Sequence, residues 1–255
     1  MCPNVNRFVD ELRYKLSRAF GFSHVSNKQY SELVFWKHEI SKYVKWYQGK
    51  ISSHYGVPSP ASNTRVTAYS LKENAILTWT RAHINKYPDL LLVPKDYFQG
   101  MRVLDIGCGP VPYACVFTDC EIVGLDQLAS EYKDLGFPLE KYPDHLTYLT
   151  ASAEKIPAKN GSFGAVISVN ALDHVDDFSA VAGEIRRVLR SEGILRFEVA
   201  YHRATTCEPW SLSDETIMQH FGSLGVKKIS QRLATDIFPE SFESTDKVVV
   251  WANKE

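Results

Sequence analysis

Apolar residues return every third or fourth position through SELVFWKHEISKYVKWYQGK, where Leu33, Trp36, Ile40, Tyr43, Val44 and Tyr47 fall near one face and lysines lie opposite. That spacing predicts an amphipathic helix, with Gly49 as its stop. The following HYGVPSPASN is broken by proline, glycine and serine and reads as a loop. A second helical run is expected from about Tyr69 to Asn85, on Leu71, Ala75, Thr78, Trp79 and Ala82.

After Gly100 the rhythm changes. MRVLDIG, CEIVGLD, LTYLTA, FGAVISVN and GILRFEVA are short, β-branched runs that read as strands. Between the last two, DDFSAVAGEIRRVLRSEG sets Phe178, Val181, Ile185, Val188 and Leu189 on a helical stripe, with Gly193 beyond its end. Strands alternating with helices imply a parallel sheet covered on both faces. VKKISQRLA and KVVVWAN follow without an obvious long helix between them, which points to an antiparallel hairpin at the sheet edge. The expected fold class is α/β. Its centre is a Rossmann-like, mostly parallel seven-stranded sheet with helices on both faces and a C-terminal antiparallel hairpin, preceded by an N-terminal helical extension.

Composition narrows the function classes. A chain of 255 residues, 44% hydrophobic and 23% charged, holds enough apolar mass for a sizeable core. The formal charge of −1 provides no overall basic field for nucleic acid or an anionic membrane surface. Cys2, Cys108, Cys115, Cys120 and Cys207 are odd in number and include no C-x-x-C pair, so neither a disulfide framework nor a zinc cluster is indicated. The opening MCPNVNRFVDELRYKL carries charges throughout and lacks a signal peptide's apolar run. No stretch approaches the roughly 18 apolar residues of a membrane helix. The expectation is a soluble cytoplasmic protein with no nucleic-acid partner and no membrane span; a homodimer is left open.

The sharpest chemical signal is VLDIGCGP, where a strand, a glycine turn and a helix follow in the order a nucleotide cofactor needs. Gly107 and Gly109 allow a sharp turn and close approach of a ligand, and Pro110 suits a first helical turn. Asp126 ends the next strand, IVGLD, where a carboxylate can accept both hydrogen bonds of a ribose diol. Two details separate this from a dinucleotide site. The third glycine of that fingerprint is replaced by Pro112, and Asp105 stands just before the first glycine. A carboxylate there repels a diphosphate but suits a cationic, amino-acid-like ligand. S-adenosylmethionine, with its sulfonium and ammonium groups, fits better.

These motifs, with ASAEKIP and FGAVISVNALDHVDD after them, resemble in order the cofactor half of class I S-adenosylmethionine-dependent methyltransferases. The style is similar to the small-molecule group that includes the ubiquinone and menaquinone methyltransferases. The resemblance implies a domain over 99–255 that binds S-adenosyl-L-methionine, with 1–98 as a helical extension or lid. It implies that Gly107 and Gly109 pass the methionine portion and that Asp105 bonds its amino group. Asp126 would hold the ribose, Gln127 or Leu128 would flank the adenine, and Ala153 and Glu154 would lie by its edge. Asn170 would face the methionine and the methyl group. Two departures stand out: Val111 replaces a third glycine, and Ser152 replaces an aspartate that often meets the adenine amino group.

The expected reaction is in-line methyl transfer to oxygen or nitrogen of a small-molecule or sugar acceptor. Positioning supplies much of the rate, and a hydroxyl acceptor also needs a base. His202 and His174 are the candidate catalytic bases, because each follows a strand on the side where such sheets bind ligands. Their bland alternatives are a solvated loop histidine and a framework residue. Glu198, Tyr201 and Glu208 are further candidates for orienting an acceptor. Asp173, His174, Asp176 and Asp177 also invite a metal reading, but acids at a helix start cap N–H groups, so no metal is expected. The aromatic stripe around Trp36 and Tyr43 reads as core packing before it reads as a lid, and Cys108 as a small filler. The FWKHEISKYVKWY and EPW segments faintly resemble methyltransferases of bacterial polysaccharide assembly, hence the lean toward a glycan. The competing classes are a non-catalytic cofactor-binding scaffold and an NAD-dependent oxidoreductase.

Overall fold

Helix α1 (Asn27–Tyr47) starts at a reciprocal cap: Gln29 donates its backbone N–H to Ser26 Oγ at 3.2 Å, and Ser26 N–H reaches Gln29 Oε1 at 2.7 Å. It ends at Tyr47, and Gly49 follows at φ +72°, the left-handed turn that glycine adopts without strain. The computed structural model describes residues 26–61, 68–205, 207–237, 243 and 245–254; the opening segment with Cys2 lies outside them. The chain divides into two compact units, one holding residues up to Ala82 together with Glu131–Pro138, the other His83–Ser130 and Leu139–Glu255.

The first unit is an aromatic packing problem solved by two helices and a ribbon. α1 buries Leu33, Ile40, Tyr43, Trp46 and Tyr47, so the expected stripe is core, with Trp46 added and Trp36 only half-buried. α2 (Ala68–Ala82) contributes Trp79, whose ring stacks on Tyr43 with centroids 4.8 Å apart. It ends three residues short of the expected Asn85, and Ala82 is exposed. The two-residue strands β1 (Ser53–His54) and β2 (Val57–Pro58) form a ribbon pinned by Trp46 Nε1–H to Val57 O at 3.0 Å. Trp36 meets the edges of Tyr132 and Phe137, at 6.2 and 5.8 Å, from the 131–138 segment.

The second unit is the sheet. Its strands are β3 (Arg102–Ile106), β4 (Glu121–Leu125), β5 (Leu146–Leu149), β6 (Phe163–Val169), β7 (Leu189–Tyr201), β8 (Lys227–Leu233) and β9 (Lys247–Ala252). The order is β5-β4-β3-β6-β7-β9-β8, with β9 antiparallel to both neighbours and the remaining pairs parallel. This is the seven-stranded, mostly parallel sheet with a terminal hairpin that the pattern predicts. Helices α5 (Phe178–Val188) and α6 (Asp214–Phe221) bury Val181, Ile185, Ile217 and Phe221 against one face, among Leu104, Val166, Phe197 and Val199. On the other face, α3 (Lys86–Leu91) is tied to the sheet: Tyr87 OH reaches Asp105 Oδ1 at 3.4 Å, and Arg196 Nε–H donates to Leu91 O at 2.5 Å. The chain leaves β4 through α4 (Ala129–Leu135). Among the described residues, no helix is long and apolar enough to cross a membrane, and none of the four described cysteines forms a disulfide.

Two local expectations are corrected. The glycine turn does not open a helix at Pro110: a single 3₁₀ turn, Tyr113–Val116, follows instead. Pro112 disfavours the helical conformation for the β-branched Val111 before it, and Pro112 itself lies at ψ +86°, outside the helical region. Gly193 does not stop α5 either. The helix ends at Val188 and β7 begins at once, with Gly193 at an irregularity where pairing jumps from Leu189 to Ile194. A Cβ at Gly193 would lie 2.9 Å from the backbone oxygen of Arg190, so the irregularity itself favours glycine.

Candidate functional site

The C-terminal ends of β3, β4, β6 and β7 carry the polar residues singled out by the sequence. At β3 the chain turns through Gly107 (φ +70°) and Gly109 (φ +60°). The turn is bound to the end of β4: Gly107 and Cys108 N–H donate to Leu125 O at 2.8 and 3.3 Å. A Cβ on Gly107 would come within 2.3 Å of Ala171 Cβ, so only glycine permits this closeness between the turn and the end of β6.

Asp126 completes the turn. Its Oδ2 accepts from Gly109 N–H at 3.0 Å and its Oδ1 from Leu128 N–H at 2.9 Å. Each oxygen is aimed by one backbone amide. This bond to Gly109 was missed in the sequence, where motif spacing marked Asp126 only as a ligand residue. Tyr148 and Tyr142 brace the same loop, donating to Gly109 O and Pro110 O at 3.2 and 3.1 Å.

Asp105 is fully buried. Tyr87 meets one oxygen, while Oδ2 has no hydrogen-bond partner. Burial pushes this carboxyl well above the ordinary carboxylate range; Tyr87's hydrogen bond opposes that rise and Asp126 adds to it. A buried oxygen that lacks a donor, next to a glycine turn, fits a cationic group with N–H bonds and disfavours a diphosphate. The residues present therefore fit the ammonium and ribose of S-adenosylmethionine.

Past the end of β5, Glu154 is half-buried and bonded within the protein. Its Oε1 accepts from Asp176 and Asp177 N–H at 2.8 and 3.2 Å, and Ser152 Oγ bonds its Oε2. Those bonds oppose the cost of burial and hold the Glu154 carboxyl below its ordinary value. Gln127 and Ala153 are also half-buried beside these segments. Asn170, just past β6, adopts φ +51°, a left-handed turn that asparagine tolerates, and its N–H donates to Glu198 O at 3.1 Å.

The candidate bases fall together, with their acids. His202 Nε2 lies 2.9 Å from Asp173 Oδ2 and its Nδ1 2.7 Å from Arg203 O. A carbonyl and a carboxylate both accept, so both ring nitrogens donate and the imidazole is a cation. The bond to Asp173 drives this, against burial, and lifts His202 to about 9. An imidazolium held in this way has no lone pair for an acceptor's proton; the geometry suits His202 to fixing Asp173. His174 Nε2 lies 3.7 Å from Glu208 Oε1 and 4.0 Å from Asp173 Oδ1. Burial opposes ionisation of Asp173, but His174 and His202 together hold it below the ordinary value. Asp177 caps α5 through Ala180 N–H at 2.9 Å and Asp176 is exposed, as helix-start acids should be. Tyr201 OH donates to Asp214 Oδ1 at 3.0 Å. Glu198 on β7 is buried with no hydrogen-bond partner at either oxygen. Burial first, then the charge of Asp173, pushes it up to about 8, while Lys86 and Arg232 pull the other way.

Residues 104–197 match a family model described as a methyltransferase domain. Sterol 24-C-methyltransferase of Clavispora lusitaniae is 35% identical over 101 residues, which is 38% of this chain and 27% of that protein. The chain thus aligns with little more than a quarter of the sterol methyltransferases it matches. An uncharacterized protein of Methanocaldococcus jannaschii is 32% identical over 127 residues, 48% of this chain and 47% of that one. A chain from the Haloferax volcanii complex of the Trm112 methyltransferase activator with a methyltransferase shares the fold. Its TM-score is 0.52 at 16% identity, over 75% of this chain and 100% of that chain. The family match covers the turn, Asp126, Asn170 and His174, in agreement with the motif order in the sequence.

Proposed function

We propose that this chain, which carries a class I S-adenosylmethionine-dependent methyltransferase domain, transfers a methyl group to oxygen or nitrogen of a small-molecule acceptor. The observation that carries the reading is the glycine turn joined to Asp126, with the unpartnered Asp105 Oδ2 beside it. When bound, S-adenosylmethionine supplies an electrophilic methyl on a sulfonium. In this reading Asp105 receives the ammonium, Asp126 receives the ribose diol, and Asn170 borders the methionine. Gln127, Ala153 and Glu154 border the adenine, and Glu154 keeps that wall in place through Asp176 and Asp177. The chain's remaining task is to hold an acceptor in line and exclude water. His174 and Glu208 stand where an acceptor's polar group would arrive.

Similarity to sterol methyltransferases supports a small molecule as acceptor; the glycan lean rests on the sequence alone. An oxidoreductase is disfavoured because a dinucleotide would bring its diphosphate to Asp105. Calorimetry with S-adenosylmethionine, followed by a search for S-adenosylhomocysteine formed with candidate acceptors, tests the proposal. Absence of cofactor binding would refute it, and binding without turnover on any acceptor would favour the scaffold reading.

A further inference from the structure

Asp173, His174 and Glu208 converge from two loops. One ligand atom from each of the three lies within 4.8 Å of the others, and His174 Nε2 is 4.0 Å from Asp173 Oδ1 and 3.7 Å from Glu208 Oε1. Each carboxylate has one oxygen tied back: Asp173 Oδ2 to His202 at 2.9 Å, and Glu208 Oε2 to Thr205 Oγ1 at 2.9 Å. That leaves the other oxygen of each facing His174. Asp173 Oδ1 is buried and has no hydrogen-bond partner, and Glu208 is nearly as buried. Glu198, close enough to feel the charge of Asp173, adds two more buried oxygens without a partner. Arg232 Nε and Nη2 are buried donors without a hydrogen-bond partner, and Arg232 and Lys86 both act on Glu198, so the orphaned acceptor that bears on an ion beside His174 is Asp173 Oδ1. Asp176 and Asp177, which made a metal reading look like helix capping, take no part; Glu208, distant in sequence, replaces them.

We infer that Asp173, His174 and Glu208 form a binding site for a divalent first-row metal ion of the Mn2+ or Zn2+ type. Two carboxylates and one imidazole suit such ions. The observed spacings of 3.7 and 4.0 Å about His174 Nε2 need only small side-chain movements to approach the roughly 3.4 Å between ligands in a tetrahedral site. His202 and Thr205 are the outer supports that orient the ligand oxygens. His174 is 26% exposed and provides the entry side. Three protein ligands leave a coordination position open, which under the methyl-transfer reading would take the acceptor's oxygen.

The test is titration of chelator-treated full-length protein with Mn2+ and, separately, Zn2+ by calorimetry, with spin-echo spectroscopy of the Mn2+ form. One equivalent should bind, a single histidine nitrogen should couple to the Mn2+, and His174→Ala and Glu208→Gln should each weaken binding at least 30-fold. Failure of both ions to bind stoichiometrically, absence of nitrogen coupling, or full retention of affinity in both variants would overturn the assignment. The spectroscopic result stands on the unmutated protein if a variant misfolds. Binding of S-adenosylhomocysteine, measured in parallel, reports separately on the methyltransferase reading.

Discussion

Asp126 has two tasks, and substitution separates them. Its oxygens hold Gly109 and Leu128 N–H, and under the proposed function the same carboxylate receives the ribose. Asp126→Ala should weaken S-adenosylmethionine binding by about 1–3 kcal/mol, read by calorimetry, as charge-assisted bonds are lost. Unchanged affinity would remove it from the site. Glu198 makes the opposite kind of contribution, because its charged form is buried without a hydrogen bond. A carboxyl lifted from 4.5 to about 8 in the folded protein costs stability as pH rises through that interval, since the unfolded chain ionises first. Glu198→Leu should therefore raise the melting temperature at pH 8 and above, with the gain shrinking toward pH 5. A gain that is the same at all pH values would show that the charge is not the cause. The positions of Asp105 and Asp126 at the ends of β3 and β4 were legible in the sequence, because strand ends are marked locally. Glu208 was named only as a candidate for orienting an acceptor; its approach to His174 was not legible, because only the fold decides which loop arrives there.

At the scale of elements, local sequence and tertiary packing divide the work unevenly. The stripe of α5 and its Asp177 cap were readable because period and cap chemistry are local. The short turn after Gly109 was not, since the motif order implied a helix that Pro112 disfavours. Gly193 was read as a helix stop although its reason is the bulge in β7. Gly107 shows how far one turn depends on a missing side chain. Gly107→Ala sets a methyl 2.3 Å from Ala171 Cβ at a φ of +70°. The expected cost is about 1–3 kcal/mol in urea unfolding, together with loss of cofactor binding. A variant that retained both would mean that the turn and the end of β6 separate readily.

Across the whole molecule, the mostly parallel sheet with its terminal hairpin followed from alternating strands and helices, whereas membership of the first unit did not. Residues 131–138 belong with α1 and α2 through Trp36, Tyr132 and Phe137, a convergence that no local pattern encodes. The same unit hides an acid, Glu39, 1% exposed and bonded to His54 at 3.0 Å and Lys42 at 2.7 Å. Burial works against its ionisation, but His54 and Lys42 prevail and hold it below its ordinary 4.5. A lowered carboxyl stabilises the fold above the unfolded value and loses that contribution as pH falls through the folded one. Glu39→Gln should accordingly destabilise the protein by about 1–3 kcal/mol near pH 6, followed through the near-ultraviolet signal of Trp46 and Trp79 in urea. Below the ordinary carboxylate range the two proteins should converge, because protonation then does to Glu39 what the substitution does. A constant gap down to pH 3 would mean that packing, not the ion pairs, makes Glu39 necessary.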